Sequence, residues 1–136
     1  MHPKKRHILL VDDDIIIDYL HKKILQKAGF NNSITTVYNG KEAIERLLCL
    51  NERLDKNDGL LLLLDLNMPI LNGWQFLEEF QNIQMQLKYT IDIFILSSSN
   101  NPDDINSLKQ NPLVKGYLNK PLTLTAVQNE LSELIN

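Results

Sequence analysis

Apolar runs alternate with amphipathic segments along the whole chain. His7 to Val11 is the first run and predicts a strand. From about Asp14 to Ala28, Ile17, Leu20 and Ile24 recur at helical spacing, and Gly29 suits the stop of that helix. Ser33 to Val37 predicts the second strand. The second helix begins near Gly40 and carries Ala43, Ile44, Leu47 and Leu48. Asn51 to Gly59 is polar and reads as a loop, with room for a helical tail. Leu60 to Leu64 shows no alternation, as expected for a central strand buried on both faces. The third helix follows Asn72-Gly73, with Phe76, Phe80, Ile83 and Leu87 at helical spacing. Ile91 to Leu96 predicts the fourth strand. Asn101 can then cap a helix, Pro102 fits its first turn, and Asp103 and Asp104 suit the positive end of its dipole. Val114 to Leu118 is the fifth strand. The last helix runs from about Thr123 to the end, with Leu124, Val127, Leu131 and Leu134 inward.

Five βα units predict an α/β fold around a parallel sheet. The 136 residues suffice for one domain with a real core, and no internal repeat or second domain is visible. A net charge of -3 gives no electrostatic case for nucleic acid as a partner. Lys4-Lys5-Arg6 reads as a solvated lead-in to the first strand. Cys49 is the single cysteine, which excludes an internal disulfide, and its apolar neighbours suggest a small buried residue. No apolar run is long enough to span a bilayer, so no membrane insertion is expected. The N-terminus lacks the apolar stretch of a signal peptide, and a cytoplasmic location is the expectation.

In a parallel α/β sheet the C-terminal strand ends form the ligand crevice. Asp12-Asp13 ends the first strand, Asp65 ends the third, and Lys120-Pro121 follows the fifth. Three carboxylates and one ammonium therefore meet at one edge. Like charges at close range raise each other's pKa unless a cation intervenes. Mg²⁺ answers this, since it takes oxygen ligands from carboxylates, water and phosphate. Asp65 is the candidate nucleophile for an aspartyl phosphate, and Lys120 adds a point charge for the phosphoryl group. The backbone carbonyl of Asn67 can reach the metal. Asp14 is expected to cap the first helix. Ser97 ends the fourth strand, where its hydroxyl can donate to a phosphoryl oxygen. Periodicity alone leaves Tyr117 equally a half-buried aromatic.

Taken together, these residues resemble the receiver domain of two-component response regulators. The resemblance covers essentially the whole chain. It rests on Leu10-Val11-Asp12-Asp13-Asp14, on Asp65-Leu66-Asn67-Met68-Pro69 followed by Gly73 and Phe76, on Ser97, and on Tyr117 with Lys120-Pro121. It implies a flavodoxin-like (βα)5 doubly wound sheet of strand order 2-1-3-4-5. It implies that Asp65 accepts phosphate from a sensor histidine kinase or phosphotransfer protein. Asp13 would bind Mg²⁺ directly, Asp12 through water and Asn67 by its carbonyl. The Lys120-Pro121 bond is expected to be cis. On phosphorylation the Ser97 hydroxyl would move toward the phosphate and Tyr117 would turn inward. That changes the face made by the fourth helix, fifth strand and fifth helix, where a downstream protein would bind. Ser98 and Ser99 follow the switch hydroxyl, and Asn67 and Ser99 hold positions that tune dephosphorylation in the family. A homodimer is left open.

The resemblance implies a switch rather than an enzyme, with autocatalytic phosphoryl acceptance and dephosphorylation only. No output domain is expected beyond the fifth helix. Two other readings remain. One is an aspartyl-phosphate phosphatase with Asp12 as nucleophile and Asp14 as acid, against which Ile15-Ile16 stand where small residues are usual. The other is a phosphorylation-independent interaction module, which the full set of acids, hydroxyl and lysine disfavours.

Overall fold

The computed structural model describes residues 5–30, 33–98 and 101–134. Its centre is the leucine run. Leu60 to Leu64 lies in β3 (Gly59–Leu64), and every residue of that strand is buried. Fully burying one such side chain contributes about 1.5–3 kcal/mol. A strand buried on both faces needs a helical layer on each side, and the chain supplies both. In chain order the elements are β1 (Lys5–Val11), α1 (Ile15–Lys27), β2 (Ser33–Val37), α2 (Gly40–Leu50), β3, α3 (Gly73–Ile83), β4 (Thr90–Ser97), α4 (Pro102–Gln110), β5 (Val114–Asn119) and α5 (Leu124–Leu131). Short 3₁₀ turns follow α3 at Gln84–Gln86 and α5 at Ser132–Leu134.

The strands form one parallel sheet of order β2-β1-β3-β4-β5, as the resemblance implied. Side-chain alternation splits the core in two. Leu9, Val11, Leu60, Leu62, Leu64, Ile93 and Ile95 face one layer with α2, α3 and Leu108 of α4. Ile8, Leu10, Leu61, Leu63, Phe94 and Leu96 face the other with Leu25 of α1 and Val127 and Leu131 of α5.

Local signals fix the helix starts. The Asp14, Asn39, Asn101 and Thr123 side chains each accept from backbone N–H groups of the first turn. Asn72 and Gln75 form a reciprocal capping box on α3. Pro102 stands in the first turn of α4, as expected.

Four expectations need correction. The inward face of α1 is Asp18, His21 and Leu25, whereas Leu20 is 49% exposed. Ile17 and Ile24 are half-buried at its margin. Cys49 is exposed, because Ala43 and Leu47 take the inward positions of α2. Leu87 lies beyond α3, since the helix yields to the 3₁₀ turn after Ile83, although Leu87 still packs on the core. At the end of the chain, α5 stops at Leu131. Lys4 and Ser99 lie outside the described residues.

The polar stretch from Asn51 to Gly59 has a structural use. The Asn51 side chain accepts from Lys88 N and donates to Gln86 O, at 2.7 and 2.8 Å. Asp58 O accepts from Thr90 N, and Leu54 is buried. The loop thereby ties the start of β4 to the end of α2.

Gly73 matters to the crevice. A Cβ there would stand 2.6 Å from Asp65 O and 2.8 Å from Leu66 Cα, both backbone atoms that cannot swing away. Gly73→Ala is therefore expected to lower stability by about 1–3 kcal/mol in urea denaturation, the usual cost of overpacking. An unchanged midpoint would show that the Asp65 strand end yields without cost.

Candidate functional site

Strand register brings the chemistry together. Val11 of β1 pairs with Leu64 of β3, so Asp12 and Asp65 leave adjacent strands side by side. Asp65 N donates to Val11 O and Asp12 N donates to Val37 O, which holds both strand ends in the ladder for one more residue. Both acids are buried, at 3% exposure for Asp12 and 6% for Asp65. Asp13 is exposed, yet its carboxylate closes the group. One oxygen each from Asp12, Asp13 and Asp65 lies within 4.8 Å of the others.

Each buried carboxylate is held at one oxygen by backbone. Asp12 Oδ1 accepts from Asp14 N at 2.9 Å, and Asp65 Oδ1 accepts from Leu66 N at 2.8 Å. The remaining oxygens face Lys120. Its Nζ lies 2.5 Å from Asp12 Oδ2 and 3.2 Å from Asp65 Oδ2. Burial and the neighbouring Asp12 charge raise the pKa of Asp65, while Lys120 pulls it back down. Burial opposes the charged form of Lys120, but its contacts with Asp12 and Asp65 prevail and raise its pKa. Lys120 reaches over β4 to do this. Its backbone N donates to Ser97 O at 3.0 Å, and the Lys120-Pro121 peptide is cis, as expected.

The other expected residues sit around this pair. Ser97 is fully buried at the end of β4 and pairs in register with Asn119, one residue before Lys120. Tyr117 is half-buried on β5 opposite Ile95 and packs against the α2–α3 core layer. Asn67 is exposed at the rim, two residues past Asp65. Asp14 caps α1, its Oδ1 accepting from Ile16 N and Ile17 N at 3.1 Å each.

The donor set suits a hard divalent cation. It offers carboxylate oxygens only, and Asp12 Oδ2 is buried with the Lys120 ammonium against it, the place of a cation already taken by a cation.

Two residues of α1 were not foreseen. Asp18 is buried beneath the site, and neither of its oxygens has a hydrogen-bond partner among the described residues. Burial, then the Asp12 charge, pushes its pKa up to about 7. His21, one turn later, is 1% exposed, and its Nε2 accepts from Leu122 N at 3.1 Å. Burial lowers its pKa to about 4. The signal that could have found them is their own spacing with Leu25, at i, i+3 and i+7, which the more apolar stripe of Ile17, Leu20 and Ile24 masked.

These two groups oppose each other in pH dependence. Native Asp18 keeps its proton up to about 7, whereas an unfolded Asp loses it near about 4, so stability falls as pH rises through that window. Native His21 stays neutral down to about 4, whereas an unfolded His protonates near about 6.5, so stability falls as pH drops through that window. Asp18→Asn removes the first slope only. In metal-free protein it is expected to raise stability by about 1–3 kcal/mol near about pH 7.5, with the gain vanishing near about pH 4.5. Urea denaturation at both pH values checks this, and equal midpoints near neutrality would refute it.

Comparison with known proteins agrees with this geometry. The response regulator receiver domain profile matches residues 8–132. Two-component response regulator 24 of Arabidopsis thaliana is 34% identical over 80 residues, covering 59% of this chain and 52% of that protein. The peroxide stress-activated histidine kinase mak1 of Schizosaccharomyces pombe is 28% identical over 132 residues, 95% of this chain but 8% of that protein. The chain thus spans about half the length of the first relative and a small part of the second. A two component response regulator from Cytophaga hutchinsonii superposes with a TM-score of 0.79 at 30% identity, covering 96% of this chain and 97% of that one. With the profile spanning nearly the whole sheet and its crevice, the chain belongs to the response regulator receiver domains of two-component systems.

Proposed function

We propose that Asp65 is the phosphoacceptor and that the Asp12–Lys120–Asp65 bridge is its resting state. An Asp65 oxygen attacks the phosphorus of a phosphohistidine. A P–O bond forms, the P–N bond breaks, and the departing imidazole takes up a proton. Asp12, Asp13, Asp65 and the Asn67 carbonyl would hold Mg²⁺. Bound there, it neutralises charge on the phosphoryl oxygens. Lys120 already stands 3.2 Å from Asp65 Oδ2 and turns to an oxygen of the transferred group. The Ser97 hydroxyl donates to another. No separate substrate is turned over, so the protein acts as a switch. The observation that carries this reading is the bridge itself: one cation between two buried strand-end carboxylates, one of them aimed at the crevice.

Output follows from neighbours in the sheet. Ser97 and Tyr117 lie on β4 and β5, so movement at the phosphate is felt at the α4-β5-α5 face, where a downstream protein docks. Input has its own surface. Ile15, Ile16, Tyr19 and Leu20 of α1 are exposed at 68, 74, 61 and 49%, and Ile70 beyond Asp65 is exposed at 74%. Ile70 also holds a φ of 68°, a backbone region that costs a β-branched residue energy. An apolar rim around a charged crevice suits a histidine kinase or phosphotransfer protein that buries it while its phosphohistidine enters.

Intact mass after incubation with acetyl phosphate tests the chemistry. A gain of one phosphoryl group is expected in wild type with Mg²⁺, and none without Mg²⁺ or in Asp65→Asn. Failure of wild type to gain mass and to bind beryllofluoride would overturn it. For the rim, Ile16→Asp is expected to slow transfer from a phosphohistidine protein about tenfold or more while leaving acetyl phosphate unaffected. Equal slowing with both donors would mean that the variant damages the crevice instead.

A further inference from the structure

The loop that delivers Lys120 has few anchors. Lys120 N donates to Ser97 O, Pro121 has no N–H to offer, and the next donor is Leu122 N. That donor goes to His21 Nε2, across 101 residues of sequence. Thr123 then begins the cap of α5. An accepting Nε2 places the ring proton on Nδ1, so the bond requires the neutral imidazole. His21 is 1% exposed on the inward face of α1, a helix whose N-cap, Asp14, also donates its N–H to Asp12. One helix therefore touches both ends of the Asp12–Lys120 contact.

Resting on the phosphoacceptor reading above, we propose that His21 is a positioning residue for that reaction: by accepting from Leu122 N, it holds the Lys120–Leu122 loop so that Nζ stays between Asp12 and Asp65. His21 touches no reacting atom. It acts on where the ammonium stands, and phosphoryl transfer depends on such placement, since an error of about 1 Å can cost up to about a hundredfold in rate.

Three variants separate this role from simple packing. His21→Leu fills the space with no acceptor. His21→Gln returns an acceptor near the position of Nε2. His21→Asn carries one too short to reach Leu122 N. The first readout needs no phosphodonor: the rate at which an amine-reactive acylating reagent modifies Lys120, followed by peptide mass spectrometry. In wild type that amine is bridged by carboxylates and its side chain is 14% exposed. Loss of one hydrogen bond is expected to speed Lys120 labelling about fivefold in His21→Leu and His21→Asn, with His21→Gln near wild type and the other lysines unchanged. The second readout is the rate of mass gain from acetyl phosphate with saturating Mg²⁺. It is expected to drop about tenfold in the same two variants and to be rescued in His21→Gln.

Labelling that is equal in all four proteins overturns the proposal, as does failure of His21→Gln to rescue. If His21→Leu does not fold, the Gln–Asn pair carries the same comparison. If wild type gains no phosphoryl group, the acceptor reading fails while the labelling result still decides whether His21 positions Lys120.

Discussion

The Lys120 ammonium between Asp12 and Asp65 is the constraint on which the site depends. Two carboxylates that leave adjacent strands and are almost fully buried repel each other and lose hydration. A single cation relieves both costs only if it is placed accurately. Breaking such a buried set by removing one member is far more costly than losing a surface pair. Yet Lys120 follows β5, which pairs with β4 and not with β3. The side chain must therefore cross the end of β4, and its loop must be held while it does so. The bond to Ser97 O anchors it on the sheet, and the bond to His21 anchors it on the helical layer.

The same arrangement explains how the site can be both stable and reactive. One oxygen of each carboxylate is fixed by a backbone N–H, independently of Lys120. The other oxygen of each is held only by the ammonium. Fixed donors with one replaceable partner are what phosphoryl transfer asks for, because its catalysis is mostly positioning and charge neutralisation. Burial keeps water from screening these contacts and gives each of them more force than it would have at the surface.

Much of this was legible in the chain. The five leucines at Leu60 to Leu64 read as a central strand, and acids at the ends of two such runs were then expected to meet at one edge, as they do. Helix starts were readable because Asp14, Asn72, Asn101 and Thr123 cap by local hydrogen bonds. The inner face of α1 was not. Periodicity assigns the more apolar stripe to the core, and here Asp18 and His21 take the inward positions instead. His21 is explained by a bond to Leu122 that no local pattern encodes. Cys49 misled for a simpler reason: flanking leucines on a helix say little about which face lies between them. The stretch from Asn51 to Gly59 read only as a polar loop, because its bonds to Lys88 and Thr90 depend on a fold already formed.

The inversion of α1 links the two halves of the proposed function. A helix that turns polar groups toward the core must leave apolar ones outside, and Ile15, Ile16, Tyr19 and Leu20 are the result. Burying Asp18 and His21 costs stability that a leucine pair would not, and exposing four large apolar groups forgoes burial besides. Selection for stability alone would reverse the helix. On the polar face, His21 accepts from Leu122 N in the loop that follows Lys120. In the docking proposed above, a phosphodonor would cover the apolar face, and the free energy withheld from folding would be returned on binding. On the two proposals above, two faces of one helix serve the same event, one through the lysine loop and one at the rim.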